Sequence, residues 1–414
     1  MIVALASRYR STSEGDSMPT SAKHWSRNNR SLIELVIGTM VLFAFNVWEH
    51  LPGIIPNHYS DVISVFWRDG VGRGEHLVPY LQFKFEYPVI VGVLVYISSF
   101  SRALAPDFMV AMNYYVLIMD GFLFLFTIGT VLLLRKICLI LNIEETRIWK
   151  CFLIMPTFLM FTVYNWDIIA VFFSVLSIYL YMKTKKLGSA VSLGLGIAAK
   201  LYPSILLPVY LVEEKSWRER FKFIFTSLGV FMLLNAPFII LNFETWLSTW
   251  TYHMEWGIED SWLIYFFKQM DPFAHYFGLA VLLYLVYKGL IQTSKKLYES
   301  QAERLIERCW LMSIAWLFGS YVATPQMALM LLPFYTLIPT IPLLPAYIAD
   351  VLNALIIVLW FTSTAIIGDP LSPNSPVQYI AATRQLIWLG MFIYCLYKIQ
   401  ITSLAKTLFK RIEK

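Results

Sequence analysis

Charged residues are scarce in this chain, 14% of its 414 residues, while 58% are hydrophobic. A soluble core of ordinary proportions cannot absorb that much apolar surface, so the composition excludes a water-soluble globular protein and indicates a polytopic membrane protein. Cysteine is equally sparse. Cys138, Cys151, Cys309 and Cys395 lie in or beside apolar runs with no CxxC spacing, which argues against a disulfide framework and against a metal cluster. Among the carboxylates Asp61, Asp69 and Glu86 there is no DxD or paired-aspartate signature, so no metal and no other cofactor is expected. The net charge of +6 does not indicate nucleic acid, because Lys and Arg fall in short clusters between apolar runs in the positive-inside pattern. No convincing inverted repeat of the kind that builds many transporters is found.

What the chain has in abundance is apolar runs and aromatic residues, including 14 Trp, which suit the two membrane interfaces. Residues 1–30 are polar and rich in Ser, Arg and Asn, and a disordered cytoplasmic tail is expected there. A transmembrane domain is expected over 31–403 and a basic cytoplasmic tail over 404–414. Counting every apolar run gives about thirteen crossings, which would put the basic termini on opposite sides. If the clusters at 135–136, 183–186, 215–222 and 295–308 and the tail are all cytoplasmic, residues 31–135 need an even number of crossings. One run there must be re-entrant, interfacial or fused. The expectation is an all-α protein with about twelve spans and both ends cytoplasmic. The loop 51–88, the turn at Asn165, the Trp-rich loop Trp246–Asp260, the turn at Thr324 and the Pro-rich loop Asp369–Gln378 then face the outside.

The loop 51–88 is the one long polar segment near the start of the chain. Asp61 sits in it beside Tyr59, Ser60 and His58. A partly desolvated carboxylate near cationic groups can take a proton from a hydroxyl, although a solvated loop aspartate would look the same in sequence. Arg68, Arg73, Lys84, His58, His76 and His253 are outer cationic or switchable groups that the sequence does not rank. Lys200 follows Gly194, Gly196, Ala198 and Ala199 and precedes Pro203, the pattern of a broken or re-entrant helix. A lysine there suits a phosphate, or is a snorkelling lysine at a helix end. Asp167 can cap a helix. Asp120 interrupts a long apolar run and calls for an ion pair or a direct role. Gln326, in Thr324-Pro325-Gln326, could hydrogen-bond a sugar or phosphate oxygen.

Taken in order, Tyr59-Ser60-Asp61, Val78-Pro79-Tyr80, Glu86-Tyr87-Pro88, Asn165-Trp166-Asp167, Ala199-Lys200-Leu201-Tyr202-Pro203 and Thr324-Pro325-Gln326 resemble glycosyltransferase family 87. That family belongs to the GT-C superfamily and includes polyprenol-phosphate-mannose-dependent mannosyltransferases. The resemblance implies a GT-C fold whose first extracytoplasmic loop bears the catalytic aspartate, which maps onto Asp61. It implies a hexose, mannose above all, moved with inversion from a polyprenyl-phosphate donor to an extracytoplasmic glycan or glycolipid. Donor-phosphate residues would come from Lys200, Arg68 and His58, and substrate contacts from Tyr59, Glu86, Tyr87, Asn165, Asp167, Tyr202 and Gln326. The expected partners are the lipid-linked sugar, the acceptor and membrane lipids, with no nucleic acid, and the expected location is the plasma membrane of a prokaryote with the site facing out. The loop is less acidic than that of related GPI mannosyltransferases, which speaks against GPI synthesis. The rival reading is a lipid-linked-sugar flippase or secondary transporter using Asp120, Asp167 and Lys200 as a midplane site.

Overall fold

The structure, a computed structural model, describes residues 20–53, 59–68, 70–362, 366 and 368–412, with side chains characterised between residues 29 and 398. It divides into two compact units, Met1–Val41 and Leu42–Lys414. In the first, the described residues form the opening of helix α1 (Thr20–His50), where Thr39 bonds back to the Leu35 carbonyl at 2.7 Å. All that follows concerns the second unit.

Every regular element described is helical, apart from two isolated bridges, Pro79 with Phe83 and Glu259 with Val322. After α1 come α2 (Asp61–Arg68), α3 (Val89–Ser99), α4 (Phe108–Ile140), the short α5 (Pro156–Phe161) and α6 (Asp167–Met182). Next are α7 (Lys186–Ala199), α8 (Leu207–Glu213), α9 (Trp217–Leu241) and α10 (Phe243–Met254). The remainder is α11 (Phe273–Lys295), α12 (Gln301–Gly319), α13 (Leu332–Leu337), α14 (Leu343–Trp360) and α15 (Pro376–Ile412). Among the described residues six helical stretches are long and apolar enough to cross a membrane: Asn29–His50, α4, α9, α11, α14 and Pro376–Lys398. Val89–Leu104, α6 and α7 are apolar but shorter. The apolar runs at 151–163 and 327–342 are broken by Pro156 and Pro333, each of which starts or nearly starts a new short helix because proline cannot continue one.

The segment around Lys200 is a hairpin. α7 ends at Lys200, whose backbone is extended (φ −154°, ψ 150°), and a tight turn over Tyr202–Leu206 leads into α8. Lys186 at the start meets Glu214 at the end, Nζ to Oε2 at 2.6 Å, so both ends of the segment lie together and Lys200 stands at the far tip. Tyr210 and Ser189 share Ser177 at 2.8 and 2.9 Å, which zips the two arms. Small residues permit this: a Cβ on Gly194 would stand 2.4 Å from the Ser227 carbonyl of α9.

Charge inside the bundle is handled by pairing. α12 starts within the charged cluster 295–308, with Ser300 capping it through Glu303 N–H at 3.1 Å. Arg304 and Arg308, one turn apart, both clasp the buried Glu213, at 2.8 and 2.5 Å. Asp120 departs from this rule. It is buried, and among the described residues neither of its oxygens meets a hydrogen-bond partner or a cation, so the expected ion pair is not formed.

Candidate active site

Asp61 opens α2. The preceding Ser60 caps the helix, its Oγ accepting the Ile63 N–H at 3.2 Å, and the Asp61 N–H is held by the Tyr164 carbonyl at 3.0 Å. Its carboxylate is fixed from two sides, by the Tyr59 hydroxyl at 2.8 Å and the Asn165 amide at 2.5 Å. Asn165 is itself locked, because its Oδ1 accepts the Trp166 N–H at 2.5 Å. Burial pushes the Asp61 pKa up to about 6, against the opposing pull of Tyr59, Lys200 and Asn165 and with Glu86 adding to the rise. Such a group is ionised at neutral pH yet basic enough to accept a proton in a transition state.

The rest of the polar loop is folded around two tyrosines. Tyr80 takes a left-handed backbone (φ 68°), is buried, and donates to the Tyr87 carbonyl at 2.6 Å. Its ring lies so close to Gly92 that a Cβ there would stand 2.2 Å from the hydroxyl, so only glycine fits. Tyr87 packs on Trp166 with ring centroids 4.5 Å apart and offers its face to Lys200, whose Nζ lies 5.3 Å from the ring centre. The opposite side of Lys200 is held by Asp167, Nζ to Oδ2 at 3.3 Å. Asp167 is fully buried and sits behind Lys200, so it anchors the cation and does not line the cavity. Of the expected substrate contacts, Asp167 is the one that does not line the cavity. Arg68, at the end of α2, is ion-paired with Glu86.

These groups face one cavity of about 810 Å³, within the range for ligand sites. Tyr59, Asp61, Arg68, Glu86, Tyr87, Asn165, Lys200, Tyr202 and Gln326 all line it, whereas Arg73, His76, Lys84 and Asp120 do not. Tyr202 is oriented by its hydroxyl, which donates to the Asp167 carbonyl at 3.0 Å. Gln326 is held near the start of a turn whose Pro325 carbonyl accepts from Asn353 at 2.9 Å. His58 lies outside the described residues. The remaining wall comes from the Trp-rich loop and from α11 and α12, including Trp250, His253, Trp256, Glu259, His275 and Trp316. The sequence does not rank these residues. The available signal was the acidic doublet Glu259-Asp260 in the Trp-rich loop. α10 is pinned over the polar loop by Asn242 on the Leu81 carbonyl at 2.9 Å and Thr249 on the Phe85 carbonyl at 2.8 Å.

The sequence profile of glycosyltransferase family 87 matches residues 85–294, about half of the chain. The chain belongs to glycosyltransferase family 87. The cavity is therefore that of a membrane-embedded glycosyltransferase, with a sugar donor and an acceptor as its substrates. The matched range of this family 87 enzyme holds Glu86, Tyr87, Asn165, Asp167, Lys200 and Tyr202, while Asp61 and Gln326 lie outside it. No curated protein matches the chain.

Proposed function

We propose that this family 87 enzyme moves a hexose, with mannose the leading candidate, from a polyprenyl-phosphate donor to an extracytoplasmic glycan or glycolipid, with inversion. The observation that carries the proposal is Asp61, held in two hydrogen bonds in a large cavity that Lys200 and Arg68 also line. Asp61 accepts the proton of an acceptor hydroxyl while that oxygen attacks the anomeric carbon. The bond from that carbon to the lipid phosphate breaks, and the phosphate leaves with the electron pair. Lys200, with Arg68 beside it, balances the charge that develops on the leaving phosphate. Aromatic residues such as Trp250 and Trp256 give apolar faces on which a sugar ring can rest.

The shorter apolar helices and the hairpin at Lys200 would complete a GT-C arrangement of about twelve membrane passages. Basic clusters such as 183–186 and 215–222 support a cytoplasmic face at the base of that hairpin and an outward cavity, in a prokaryotic plasma membrane. The protein needs no metal in this scheme, since Asp61 supplies the base and Lys200 the counter-charge. The flippase reading is less well supported, because of Asp120, Asp167 and Lys200 only Lys200 lines the cavity.

Sealed vesicles containing the purified protein and radiolabelled polyprenyl-phosphate mannose test the reading. A transferase converts label into a new glycolipid when membrane glycolipid extract is supplied. Movement of intact lipid-linked sugar across the bilayer, with its phosphate bond unbroken, would replace this proposal with a transporter.

A further inference from the structure

Glu259 is the carboxylate that the scheme above leaves idle. It lines the same cavity as Asp61, and its backbone is fixed on both sides: its N–H donates to the Tyr321 carbonyl and its own carbonyl accepts the Ala323 N–H, each at 3.0 Å. Before it, the Ile258 N–H donates to the Gln269 carbonyl at 2.7 Å and the Ile258 side chain is fully buried. After it, Asp260 takes a left-handed backbone (φ 52°), and its carbonyl accepts from the buried Arg384 at 3.1 Å. Arg384 also holds the Ala323 carbonyl at 2.7 Å. These fixed points hold the backbone where the Glu259 side chain lines the cavity while Ile258 is buried away from it. Among the described residues no protein donor meets its carboxylate. Asp260, 1% exposed and lining the same cavity, has one oxygen without a hydrogen-bond partner.

We infer that Glu259 binds hydroxyls of the acceptor and holds it in place while Asp61 takes the proton, an inference that rests on the reading of Asp61 given above. The charged groups acting on Glu259 are Asp260 and Asp61, whereas Lys200 acts on Asp61. Among the described residues no cation acts on Glu259, so whether charged or protonated it offers no counter-charge to a phosphate and suits a ligand rich in hydroxyls. In a single inverting displacement the entering hydroxyl and the leaving phosphate lie on opposite faces of the anomeric carbon. Lys200 and Arg68 are the lysine and arginine that line the cavity, so the leaving phosphate is assigned to them and the entering hydroxyl to Asp61 and Glu259. Burial and the neighbouring acids also raise the Glu259 pKa, which adds protonated carboxyl able to donate as well as accept.

The test uses the full chain in lipid and varies the two substrates separately, with radiolabelled polyprenyl-phosphate mannose as donor and a membrane glycolipid extract as acceptor. Glu259→Leu is expected to raise the half-saturating amount of acceptor by roughly tenfold or more, with the donor KM within about twofold of wild type. An unchanged acceptor requirement, or a rise confined to the donor KM, overturns the inference. If Glu259→Leu fails to fold, judged by its melting temperature, Glu259→Asp decides. It keeps the charge but withdraws it from the cavity, so the acceptor requirement rises severalfold, and an unchanged one overturns the inference. The two claims fail separately: full turnover by Asp61→Asn removes the base, and an unchanged acceptor requirement removes the role of Glu259.

Discussion

At the scale of single residues, the chemistry turns on how far Asp61 is desolvated. With its pKa raised to about 6 by burial, Asp61 is a base only above that value. kcat/KM should fall with unit slope as pH drops below about 6 and stay flat above it until another group titrates. The Asn165 amide stabilises the charged form at 2.5 Å, so removing it weakens the opposition to burial and leaves Tyr59 and Lys200 to supply the rest. Asn165→Ala is expected to move the acid inflection to higher pH, read from pH–rate profiles of the two proteins. An inflection at the same pH in both would show that Asn165 does not set the basicity of Asp61. Lys200 is a different case, because it is tied to a fully buried carboxylate. Lys200→Met leaves Asp167 buried without a counter-ion, a loss of about 3–5 kcal/mol. Lys200→Met combined with Asp167→Asn should regain much of that stability, measured by thermal unfolding in detergent, while transfer stays low. Recovery of transfer with the stability would mean that Lys200 only neutralises Asp167.

At the scale of elements, two joints hold the hairpin that carries Lys200. One is the contact of Gly194 with the Ser227 carbonyl. Backbone cannot yield as a flexible side chain does, so Gly194→Val should lower both stability and activity, whereas the same change at Gly229, which has open space beside it, should cost little. The other joint is Glu213 with Arg304 and Arg308. Burial opposes ionisation of Glu213, but the two arginines win and hold its pKa below the ordinary carboxylate value. Its contribution to stability is therefore present above the ordinary carboxylate pKa and is lost as pH falls through the lowered one. Arg308→Met should lower the unfolding temperature at neutral pH, by about 3 kcal/mol of stability, and the gap should narrow in acid as Glu213 protonates. A gap independent of pH would assign the loss to packing.

These elements also show what a sequence can and cannot reveal. The break at Lys200 is legible because glycine, alanine and proline act locally on the backbone. Asp61 is legible as a carboxylate in the polar loop and Asn165 as a turn between apolar runs, and the structure brings them together. Glu213 and the arginines of α12 were not legible as partners, since the attraction that lets a charged stretch start a helix inside the bundle spans about ninety positions of chain. Glu259 was hidden for the same reason: its relation to Asp61 exists only across the cavity. Asp167 reads in sequence as a helix cap or a ligand, and the structure shows a third role, the buried counter-ion of Lys200.

At the scale of the whole molecule, orientation can be tested without substrate. The four native cysteines are buried, so an impermeant thiol reagent should ignore the unmodified chain. A cysteine placed by Glu255→Cys, at the exposed end of the Trp-rich loop, should react in intact cells, and one placed by Lys183→Cys should react only after the membrane is opened. The reverse pattern would turn the cavity towards the cytoplasm. The central claim is that Asp61 is the base of a sugar transfer. The most direct measurement is transfer of label from radiolabelled polyprenyl-phosphate mannose to a membrane glycolipid extract by wild type and by Asp61→Asn in the same lipid. Label in a new glycolipid for wild type alone, with donor binding and melting temperature preserved in Asp61→Asn, is the predicted result. Equal transfer by both proteins would contradict it.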